Sequence, residues 1–488
     1  MNDSAEKSNK ICGRMCIEIT GCLGSPLSVG SGEQGETDAD VILSAWGAPF
    51  IPGSAIAGSL RAYSKKLGLG RESDQLFGAP DDVDPGSESD RQSRIFCYDT
   101  FLEKVKMSIR DGVKLEEKKT PRHKSKYEMQ IIERGAKFRM RLEIIERKAC
   151  MAENKDIQKV WNTEQTWIRR WAQGFAAGEL RIGAKSNRGF GKLEIEEVRV
   201  KKFNMEVKDE YLAWLDWHWD HEHAFEQAEF IDFKMNEEET KNFRAEHVLE
   251  VPLRIPNTLL VRTYSETFGK AEDVPDYGQL TVSGKGEQAV IPGSSFAGAF
   301  RSHIAKIVNG IAHLHSWEEA QKRLEPFFGT WTEEKKRDEK LVSSRVIFEE
   351  VLVNGGHSLP ITRNSIDRFT GGTIKGALFE EVPWAGGTAL LRIRWKKDKD
   401  KESNIYGNIS DPSSKVICGM LLWSIKDLQA GILSIGGETA VGRGIFCRPD
   451  EKDSDILLDG NALDEKTTQE YMQMAASWCK GGEYAAGE

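Results

Sequence analysis

The sequence predicts an α+β fold in which one type of domain occurs twice in tandem. The chain has 488 residues, which is too long for one ordinary domain and suits two or three. Four short motifs of its first half recur in the same order in its second half. The segments between these motifs alternate between strand and helix patterns. A repeat of this kind is the signature of a duplicated unit.

The repeat consists of four matched motifs at nearly constant spacing. IPGSAIAGSLR at residues 51–61 matches IPGSSFAGAFR at residues 291–301, an offset of 240. The other three are a Phe-Gly triplet, the start of a strand and a Gly-rich loop, with offsets of 251, 251 and 253; they lie at residues 76–78 and 327–329, 93–96 and 344–347, and 183–191 and 436–444. These matches predict domains at residues 12–204 and 246–449, a Trp-rich linker at residues 205–245 and an acidic C-terminal tail at residues 450–488.

Each predicted domain begins with a strand, at residues 15–20 in the first and 248–253 in the second. After a polar loop, an Ile-Pro-Gly-Ser turn (the IPGS turn) leads into a helix, with Ser54 and Ser294 where a helix N-cap is expected. A strand, a long polar excursion, an alternating strand, a second helix, the Gly-rich loop and a last strand follow. This order predicts antiparallel pairing and a ferredoxin-like (RRM-like) domain with one insertion.

The charge of the chain does not by itself decide its function class. The formal net charge is −9, which argues mildly against a nonspecific nucleic-acid binder, because such proteins usually have a basic total. Binding depends on the local field, however, and residues 114–126 (KLEEKKTPRHKSK) form a basic run. From composition alone this run is more typical of a solvated loop than of a binding surface.

The N-terminus and the eight cysteines predict a cytoplasmic protein with reduced thiols and no membrane partner. The first ten residues lack the apolar segment of a secretory signal, and no stretch approaches the roughly 18 apolar residues of a membrane span. The spacing of Cys12, Cys16 and Cys22 is not that of a known zinc site, so buried thiols are favoured. Metal binding stays open as the alternative to packing for a histidine cluster in the linker: His218, His221 and His223.

The two Gly-rich loops have a composition that suits anion binding. Glycine at positive φ allows successive backbone N–H groups to converge on an anion. Lys185 and Arg188 lie in the first loop and Arg443 lies in the second. Neither loop is a Walker P-loop, because GxxxxGK[ST] is absent, and neither is a Rossmann fingerprint, because each precedes a strand. One such loop alone is more typical of a structural turn, but two, each with an IPGS turn, favour binding to an RNA backbone.

The combined pattern resembles a known family. IPGS-x3-G-x2-R, followed much later by a Gly-rich loop, is similar in both halves to the RAMP superfamily of CRISPR proteins, and more narrowly to the backbone subunit of type III effectors. Two fused copies resemble the double-backbone subunit of type III-D systems. The resemblance implies two tandem RAMP domains stacked along a CRISPR guide RNA, each with its excursion as a thumb against the guide–target duplex. It also implies other type III effector subunits and a single-stranded target RNA as partners.

The resemblance further implies site residues. In members that cut, an acidic residue in the loop before the IPGS turn supports cleavage of target RNA with a divalent metal, Mg²⁺ or Mn²⁺. The matching positions for catalysis and metal binding are Asp38, with Asp40 as its competitor, and Asp276, with Asp273 as the substitute. The residues expected to contact guide phosphates are Ser54, Arg61, Lys185, Arg188, Ser294, Arg301 and Arg443. The thumbs, at residues 109–135 and 361–387, carry a set of cations expected against the duplex: Arg110, Lys114, Arg122, Lys126, Arg363, Arg368 and Lys375.

Three function classes stay open at this point. The first is an endoribonuclease subunit that cuts guide-paired target RNA, and the second is a scaffold subunit of the same complex that does not cut. The third is a standalone enzyme that processes precursor CRISPR RNA. Such enzymes use His, Tyr and Lys side chains as acid and base, and the candidates here are His303 and Tyr63, which form no obvious set.

Overall fold

The structure is a computed structural model that describes most of the chain: residues 10–32, 35, 37–78, 92–117, 120–148, 156–263, 277–283, 286–331, 341–398, 412–450 and 454–480. These residues form two compact units. The first contains the described parts of Met1–Ser108, Gln130–Ser186 and Phe190–Arg244. The second contains those of Ile109–Met129, Asn187–Gly189 and Ala245–Glu488.

The elements up to residue 244 follow the predicted order. The strands are β1 (Ile11–Leu23), β2 (Phe50–Ile51), β3 (Ile95–Cys97), β4 (Thr100–Glu103), β5 (Met107–Leu115), β6 (Pro121–Ile132), β7 (Lys137–Arg147), β8 (Leu193–Asn204) and β9 (Glu229–Phe230). The helices are α1 (Gly53–Lys66), α2 (Gly70–Phe77), α3 (Ile157–Ala176), α4 (Lys208–Asp216) and α5 (Glu237–Phe243). β1 is longer than the predicted strand at residues 15–20.

The main sheet of the first unit is antiparallel, with the order β2-β4-β7-β1-β8-β9 and with β3 also on β7. β1 lies at its centre, where Ile17 is opposite Leu142 of β7 and Val200 of β8. α1 and α3 bury the apolar face of the sheet, and Ile56 and Phe175 are fully buried in this core. Alternating apolar residues explain the arrangement, since every second side chain of a strand lies on one face.

The second unit repeats this pattern with extra strands. Its strands are β10 (Glu246–Arg254), β11 (Thr258–Leu259), β12 (Arg262–Thr263), β13 (Tyr277–Gln279), β14 (Thr281–Ser283), β15 (Glu287–Ile291), β16 (Val346–Phe348), β17 (Val351–Asn354), β18 (His357–Ser358), β19 (Ile361–Ile366), β20 (Thr373–Val382), β21 (Trp384–Ala385), β22 (Thr388–Lys396), β23 (Leu457–Leu458) and β24 (Asn461–Ala462). Its helices are α6 (Gly293–Ala312), α7 (Trp317–Arg323), α8 (Glu325–Phe328), α9 (Ser414–Gln429) and α10 (Glu465–Cys479).

The main sheet of the second unit has the order β14-β15-β17-β22-β10-β23-β24, with β16 also on β22. β10 is central, as β1 is in the first unit, and its Leu249 is opposite Ile393 of β22 and Leu458 of β23. α6 and α9 cover the apolar face, with Phe296 and Leu421 buried in the core. Both units therefore have mixed α+β architecture around an antiparallel sheet.

The segment after residue 449 is part of the second unit, although its acidic composition suggested a separate tail. β23 and β24 extend the sheet, and α10 packs on α9. The helices approach so closely that a Cβ on Gly419 would lie 2.0 Å from the carbonyl oxygen of Tyr471. Ala475 and Trp478 of α10 are buried in the core, while its acidic residues face away. This explains why α9 is apolar on nearly every side.

The Trp-rich linker packs on the first unit. The Arg14 guanidinium lies 4.3 Å from the ring centroid of Trp214, and the rings of Trp217 and Trp219 are 4.8 Å apart. Each of the flanking histidines pairs with a neighbouring acid; the pairs are His218 with Asp220 and His223 with Glu226. The linker thus covers part of the unit rather than connecting it to the next as a free segment.

The three N-terminal cysteines do not form a metal cluster. Cys12 and Cys16 are 1% exposed, and burial raises the pKa of the Cys12 thiol to about 11 and that of Cys16 higher still. Thiols held neutral in this way are poor metal ligands, because the thiolate is the binding form. Within the described ranges, no three His, Cys, Asp or Glu side chains are grouped as a metal site requires.

A mostly covered arginine, Arg94, ties the start of β3 to α3 in the first unit. Arg94 donates to Glu164 at 2.6 Å and also to Glu146, and both carboxyl groups are at most 5% exposed. Burial raises the pKa of Glu164 to about 7, although the charge of Arg94 acts in the opposite direction. At the matching position of the second unit, Arg345 donates to the carbonyl of Pro412 at 2.9 Å.

The IPGS turns start their helices differently from the expectation. The N-caps are Pro52 and Pro292, neither with a side-chain cap, so Ser54 and Ser294 lie one residue inside the helix and are exposed. The glycine of each turn touches the next strand, because a Cβ there would lie 2.0 Å from the carbonyl oxygen of Cys97 in the first unit and 2.1 Å from that of Phe348 in the second. The turn requires glycine because the backbone of the next strand leaves no room for a Cβ, and no side chain of the turn caps the helix.

Candidate nucleic-acid interface

Three segments that are distant in sequence meet in the first unit. They are the loop before the IPGS turn (residues 24–49, the Asp38 loop), the first Gly-rich loop and the base of the β5–β6 hairpin. The N–H of Ala184 donates to the carbonyl of Ser28 at 2.8 Å, which joins the Gly-rich loop to the Asp38 loop. The N–H of Gln130 donates to the carbonyl of Ala39 at 3.0 Å, which joins the Asp38 loop to the hairpin.

The second unit brings the matching segments together by matching bonds. The N–H of Gly437 donates to the carbonyl of Leu260 at 2.8 Å, as Ala184 does to Ser28. β13, the described end of the loop before the second IPGS turn, pairs with β20 at Tyr277 and Glu381. The duplication is therefore a duplication of this junction as well as of the sheet.

Asp38 and Asp40 have different surroundings in the Asp38 loop. The carboxylate of Asp40 accepts from the N–H of Gly35 at 2.7 Å and from the N–H and hydroxyl of Thr37 at 2.9 and 2.7 Å. Asp40 therefore shapes the loop, whereas Asp38 is exposed beside the bond between Ala39 and the hairpin. Asp273 and Asp276 lie outside the described residues, so the second acidic site stays a prediction.

The donor set around Asp38 fits a divalent cation only in part. Mg²⁺ binds through one or two carboxylates and completes its six ligands with water and substrate phosphates. Asp38 offers one exposed carboxylate, and the Asp40 oxygens are already used by the loop. The residues present therefore fit an ion that RNA phosphates share, and not an ion held by the protein alone.

The first Gly-rich loop has the backbone that was predicted. Gly183, Gly189 and Gly191 have φ of 86°, 89° and 76°, in the region that favours glycine. A Cβ on Gly191 would lie 1.9 Å from the carbonyl oxygen of Ile182, so no other residue fits. Lys185, also at positive φ, is half-buried, and Arg188 donates to the Tyr127 hydroxyl at 2.6 Å.

The second Gly-rich loop repeats this backbone but encloses its arginine. Gly436, Gly442 and Gly444 have φ of 98°, 86° and 68°. Arg443 is 3% exposed and donates to Glu438 at 2.8 Å, to the Thr258 hydroxyl at 3.1 Å and to Glu381. At the offset of 253 residues its counterpart is Phe190, which is also buried, so Arg443 occupies an internal position of the loop. We leave Arg443 out of the candidate RNA surface.

The matched arginines of the IPGS helices also make internal contacts. Arg61 donates to Asp74 at 2.7 Å and to the carbonyl of Gly78 at 2.9 Å. Arg301 donates to Gln321 at 2.7 Å and to the carbonyl of Phe328 at 3.3 Å. Burial lowers the pKa of Arg301 to about 10, despite the charge of Glu325. Both arginines bind residues of the helix that follows. These internal contacts are sufficient to explain why the arginine and the Phe-Gly motif occur together in both units.

The basic residues of the first hairpin divide into two groups. Within the second unit, Arg110 is 6% exposed and lies 3.8 Å from Glu350, and Lys114 donates to the carbonyl of Trp331 at 2.9 Å. The other two, Arg122 and Lys126, are exposed, although Lys126 pairs with Glu128 at 2.7 Å. Contacts within the second unit thus engage Arg110 and Lys114 of β5, whereas Arg122 and Lys126 of β6 are exposed.

The β19–β20 hairpin carries an exposed apolar and basic tip. Arg363 contacts Glu381 at the base of the hairpin, whereas Arg368 and Lys375 near the turn are exposed. Phe369 is 100% exposed, and three more apolar side chains of the same hairpin are 46–63% exposed: Ile366, Ile374 and Leu378. Sequence reasoning selected the cations and missed the aromatic residue. The signal was present, since a phenylalanine within a polar turn indicates a contact surface.

The exposed face of each IPGS helix consists of small residues. Ser54 and Gly58 are exposed in the first helix, as are Ser294 and Gly298 in the second. A Cβ at either of these glycines would meet nothing within 4 Å. Among the described residues nothing packs against the helix at Gly58 and Gly298, so a ligand can approach the backbone there.

The two residues considered for acid–base catalysis occupy matching structural positions. Tyr63 is 3% exposed against Gly174 of α3, and His303 lies 2.5 Å from Asp427 of α9. Both fill the contact between the first and second long helices of their unit. The observed contacts account for them as packing residues.

The family comparison matches both copies of the repeat. The family model described as RAMP superfamily matches residues 23–194 and 280–447. No curated protein matches the chain. Among the solved structures that match is a cryo-EM structure of the Type III-B Cmr-beta bound to cognate target RNA, at 16% sequence identity and a TM-score of 0.28. That match covers 39% of this chain and 61% of the other.

Two further findings bear on the class of protein. No helix within the described ranges is both long and apolar enough to span a membrane. The two stretches matched by the family model cover more than half of the chain, and each contains an IPGS turn, a hairpin and a Gly-rich loop. The chain therefore belongs to the RAMP superfamily.

Proposed function

We propose that this chain is a guide-RNA-binding backbone subunit of a type III CRISPR effector, which binds a complementary target RNA and cuts it with the help of Asp38. The observation that carries the proposal is the junction in the first unit, where the Asp38 loop, the Gly-rich loop and the hairpin base are joined by backbone hydrogen bonds. Other effector subunits are its proposed partners, and the cytoplasm is its proposed location. The sheet order β4-β7-β1-β8 supports a ferredoxin-like domain.

The proposed guide-binding surface starts at the IPGS helix. Its exposed small residues allow a sugar-phosphate backbone to approach the helix start, and phosphates are favoured near helix N-termini. Lys185 and Arg188 are partly exposed cations of the Gly-rich loop and are proposed to contribute positive charge for phosphate binding. This surface replaces the one that included Arg61, Arg301 and Arg443, whose guanidinium groups make internal contacts.

The proposed target-binding surface is the exposed part of the hairpins. RNA is recognised by shape and by stacking of unpaired bases on aromatic side chains. Phe369, flanked by Arg368 and Lys375, suits a splayed base with its adjacent phosphates. Arg122 and Lys126 supply the charge on the first hairpin, which has no exposed aromatic residue near its described turn.

The proposed cleavage chemistry requires only a few protein groups, because the RNA supplies the nucleophile. The 2′-OH of RNA gives its proton to solvent and attacks the adjacent phosphorus; a 2′,3′-cyclic phosphate forms, the P–O5′ bond breaks, and the leaving 5′-oxygen takes a proton from solvent. The protein holds the in-line geometry while negative charge develops. A divalent metal shared by Asp38 and the RNA phosphates supplies charge neutralisation when bound. Asp40 keeps the Asp38 loop in shape through its three hydrogen bonds, so it positions the exposed acid.

The scaffold that does not cut is the second candidate. It is favoured by the absence, among the residues that the structure describes, of a group of metal-ligating side chains. Both candidates share guide binding and differ only at Asp38, so one cleavage assay separates them. Standalone processing by Tyr63 and His303 lacks structural support, because each is engaged in helix packing.

Guide binding is tested with the purified chain. Replacing Lys185 and Arg188 together by alanine removes two cations from the proposed surface. We expect weaker guide binding and a log–log salt dependence shallower by about 1.4, since each phosphate contact to a single strand contributes about 0.7. A control variant removes two exposed cations of the C-terminal segment, Lys466 and Lys480, and is expected to bind like the wild type. Equal RNA affinity in the folded double variant contradicts the proposed surface.

A further inference from the structure

The second Gly-rich loop holds an anion of its own. Glu438 lies in this loop at a φ of 54°, a backbone conformation that costs free energy for any residue except glycine. Its carboxylate is reached by three guanidinium groups: from Arg443 at 2.8 Å, from Arg262 at 3.3 Å and from Arg363 at 3.6 Å. Ion pairs of this kind offset the cost of the conformation.

The cluster around Glu438 has the composition of a phosphate site. Guanidinium groups that converge on one point are the usual means of binding a phosphate, because their planar N–H groups match its oxygens. Two of the three guanidiniums, those of Arg262 and Arg363, are 31% exposed, so solvent and ligands reach them. Arg262 is also held in place by the ring of Tyr277, 4.1 Å from its guanidinium carbon. The arginine cluster is accessible to solvent on the side of Arg262 and Arg363, and two carboxylates occupy it: the buried Glu381 and the loop residue Glu438.

The electrostatics keep Glu438 in its charged form. Burial acts to raise the pKa of Glu438, but hydrogen bonds from Glu381 and Arg443 and the charge of Arg363 outweigh this and lower it. Glu381, which is 0% exposed, has its pKa raised by burial and by Glu438. On acidification Glu381 therefore takes up a proton before Glu438 does, and the internal anion persists.

The matching position of the first loop carries the opposite charge. At the offset of 253 residues Glu438 corresponds to Lys185, which has nearly the same φ of 58°. Arg188 corresponds to Val441, which is 59% exposed. Two loops with one backbone geometry thus present a lysine and an arginine in one case and a glutamate and a valine in the other.

We infer that Glu438 is an internal substitute for phosphate, which closes the second Gly-rich loop to the RNA backbone and leaves the first loop as the phosphate-binding one. The ligand class at issue is a phosphodiester of RNA. This inference rests on the proposed RNA binding and adds to it which of the two loops makes the contact. Glu438 is therefore a residue that determines specificity, and exchanging the two side chains exchanges the behaviour of the loops.

The exchange is tested by RNA affinity measured at several salt concentrations. Glu438→Lys installs the residue of the first loop, and we expect tighter binding with a log–log salt slope steeper by about 0.7, the value of one added single-strand phosphate contact. Glu438→Gln removes the anion without adding a cation, and tighter binding is expected there too. Lys185→Glu makes the reverse change and should weaken binding and flatten the slope.

A matched control separates the local effect from the effect of net charge. Glu470→Lys on α10 makes the same change in net charge at an exposed position, and it is expected to leave affinity and slope unchanged. Thermal unfolding establishes which variants are folded. Wild-type affinity and slope in folded Glu438→Lys or Glu438→Gln, or an equal gain in Glu470→Lys, overturn the inference.

A measurement on the unaltered chain removes any dependence on variant folding. RNA that contains 4-thiouridine is bound to the wild-type protein, cross-linked by light and mapped by mass spectrometry. We expect cross-links in residues 183–191 and none above background in residues 436–444. Equal yields in the two loops overturn the inference while supporting the proposed function. A wild-type chain that binds no RNA at all overturns both.

Discussion

The two Gly-rich loops have the same backbone conformation but side chains of opposite charge. Three matched glycines in each loop have positive φ, and Ala184 and Gly437 make the same 2.8 Å bond to the loop before the IPGS turn. The next residue along the chain is Lys185 in the first loop and Glu438 in the second. Glycines therefore determine the path of such a loop, whereas its side chains determine what it binds.

The two hairpins differ in a parallel way. In β5–β6, two of the four predicted cations, Arg110 and Lys114, make contacts within the second unit. The tip of β19–β20 keeps Phe369 and the cations beside it in solvent. A duplicated domain has thus kept its framework while the two copies expose different side chains.

The strongest effect is expected at a feature that the two units share. Gly53→Ala and Gly293→Ala each place a Cβ about 2 Å from a backbone carbonyl that cannot move aside. We expect each to lower the free energy of unfolding by at least about 2 kcal/mol, the usual range for overpacking against fixed atoms. Thermal and denaturant unfolding measure this. A loss in only one of the two variants shows that the turns are not equivalent.

A glycine one turn further on provides the opposite case. A Cβ at Gly58 meets nothing, so Gly58→Ala is expected to stabilise the chain by up to about 1 kcal/mol through helix propensity. The same methyl group lies on the face proposed to approach the guide, so guide affinity should fall. Opposite signs for stability and affinity in one variant would strengthen the assignment. Unchanged affinity argues that RNA does not touch this face.

The next effect concerns the exposed aromatic tip of the β19–β20 hairpin. The Asp367 carboxylate accepts from the N–H groups of Phe369 and Thr370 at 2.8 and 2.9 Å, and these bonds lower the pKa of Asp367 and hold Phe369 at the turn. Phe369→Ala should weaken binding of the guide–target duplex by about 1–3 kcal/mol, the value of one base stacked on an aromatic ring. Ile432→Ala removes an apolar group that is 69% exposed elsewhere in the unit, and it should bind like the wild type.

The weakest effect is expected at Glu164, the buried carboxyl group beside Arg94 in the first unit. The pKa of Glu164 is raised to about 7 beside Arg94, so its folded form holds a proton that the unfolded chain releases near its ordinary pKa. This contribution to stability is present at low pH and is lost as the pH rises through about 7, by on the order of 1 kcal/mol between pH 6 and 8. Glu164→Gln should remove that part of the pH dependence. An unchanged pH profile in the variant contradicts the assignment.

The sequence was sufficient to predict the sheets, helices and loops, but it did not show which charged side chains are exposed. The repeat predicted both sheets, the IPGS helices and the Gly-rich loops, because glycine, proline and alternating apolar residues report on local backbone and burial. It could not separate the partly exposed Arg188 from the buried Arg443, because the residue type alone does not report which side chains surround an arginine. It also set α10 apart, because acidic composition obscured the buried stripe around Trp478. Long-range contacts decide such cases.

The proposed catalytic role is tested at Asp38. A labelled target RNA, paired with guide on the purified chain, is incubated with and without Mg²⁺ or Mn²⁺. Asp38→Ala is expected to abolish one cut, a loss of on the order of 100-fold in rate, while target affinity stays within about twofold, because removing an acid takes no attraction away from a polyanion. Glu103→Ala, which removes another exposed acid of the first unit, should cut like the wild type.

A modified target in the same assay shows whether the first unit cuts bound RNA through the 2′-OH of that RNA. A target with a deoxy sugar at the cut position is bound by the wild-type chain and compared with the all-ribose target. We expect normal binding, no cleavage of the deoxy target, and loss of the same cut in Asp38→Ala. An unchanged ladder with Asp38→Ala, or cleavage at the deoxy position, contradicts the proposed chemistry and leaves the chain as a scaffold or as a nuclease with another site.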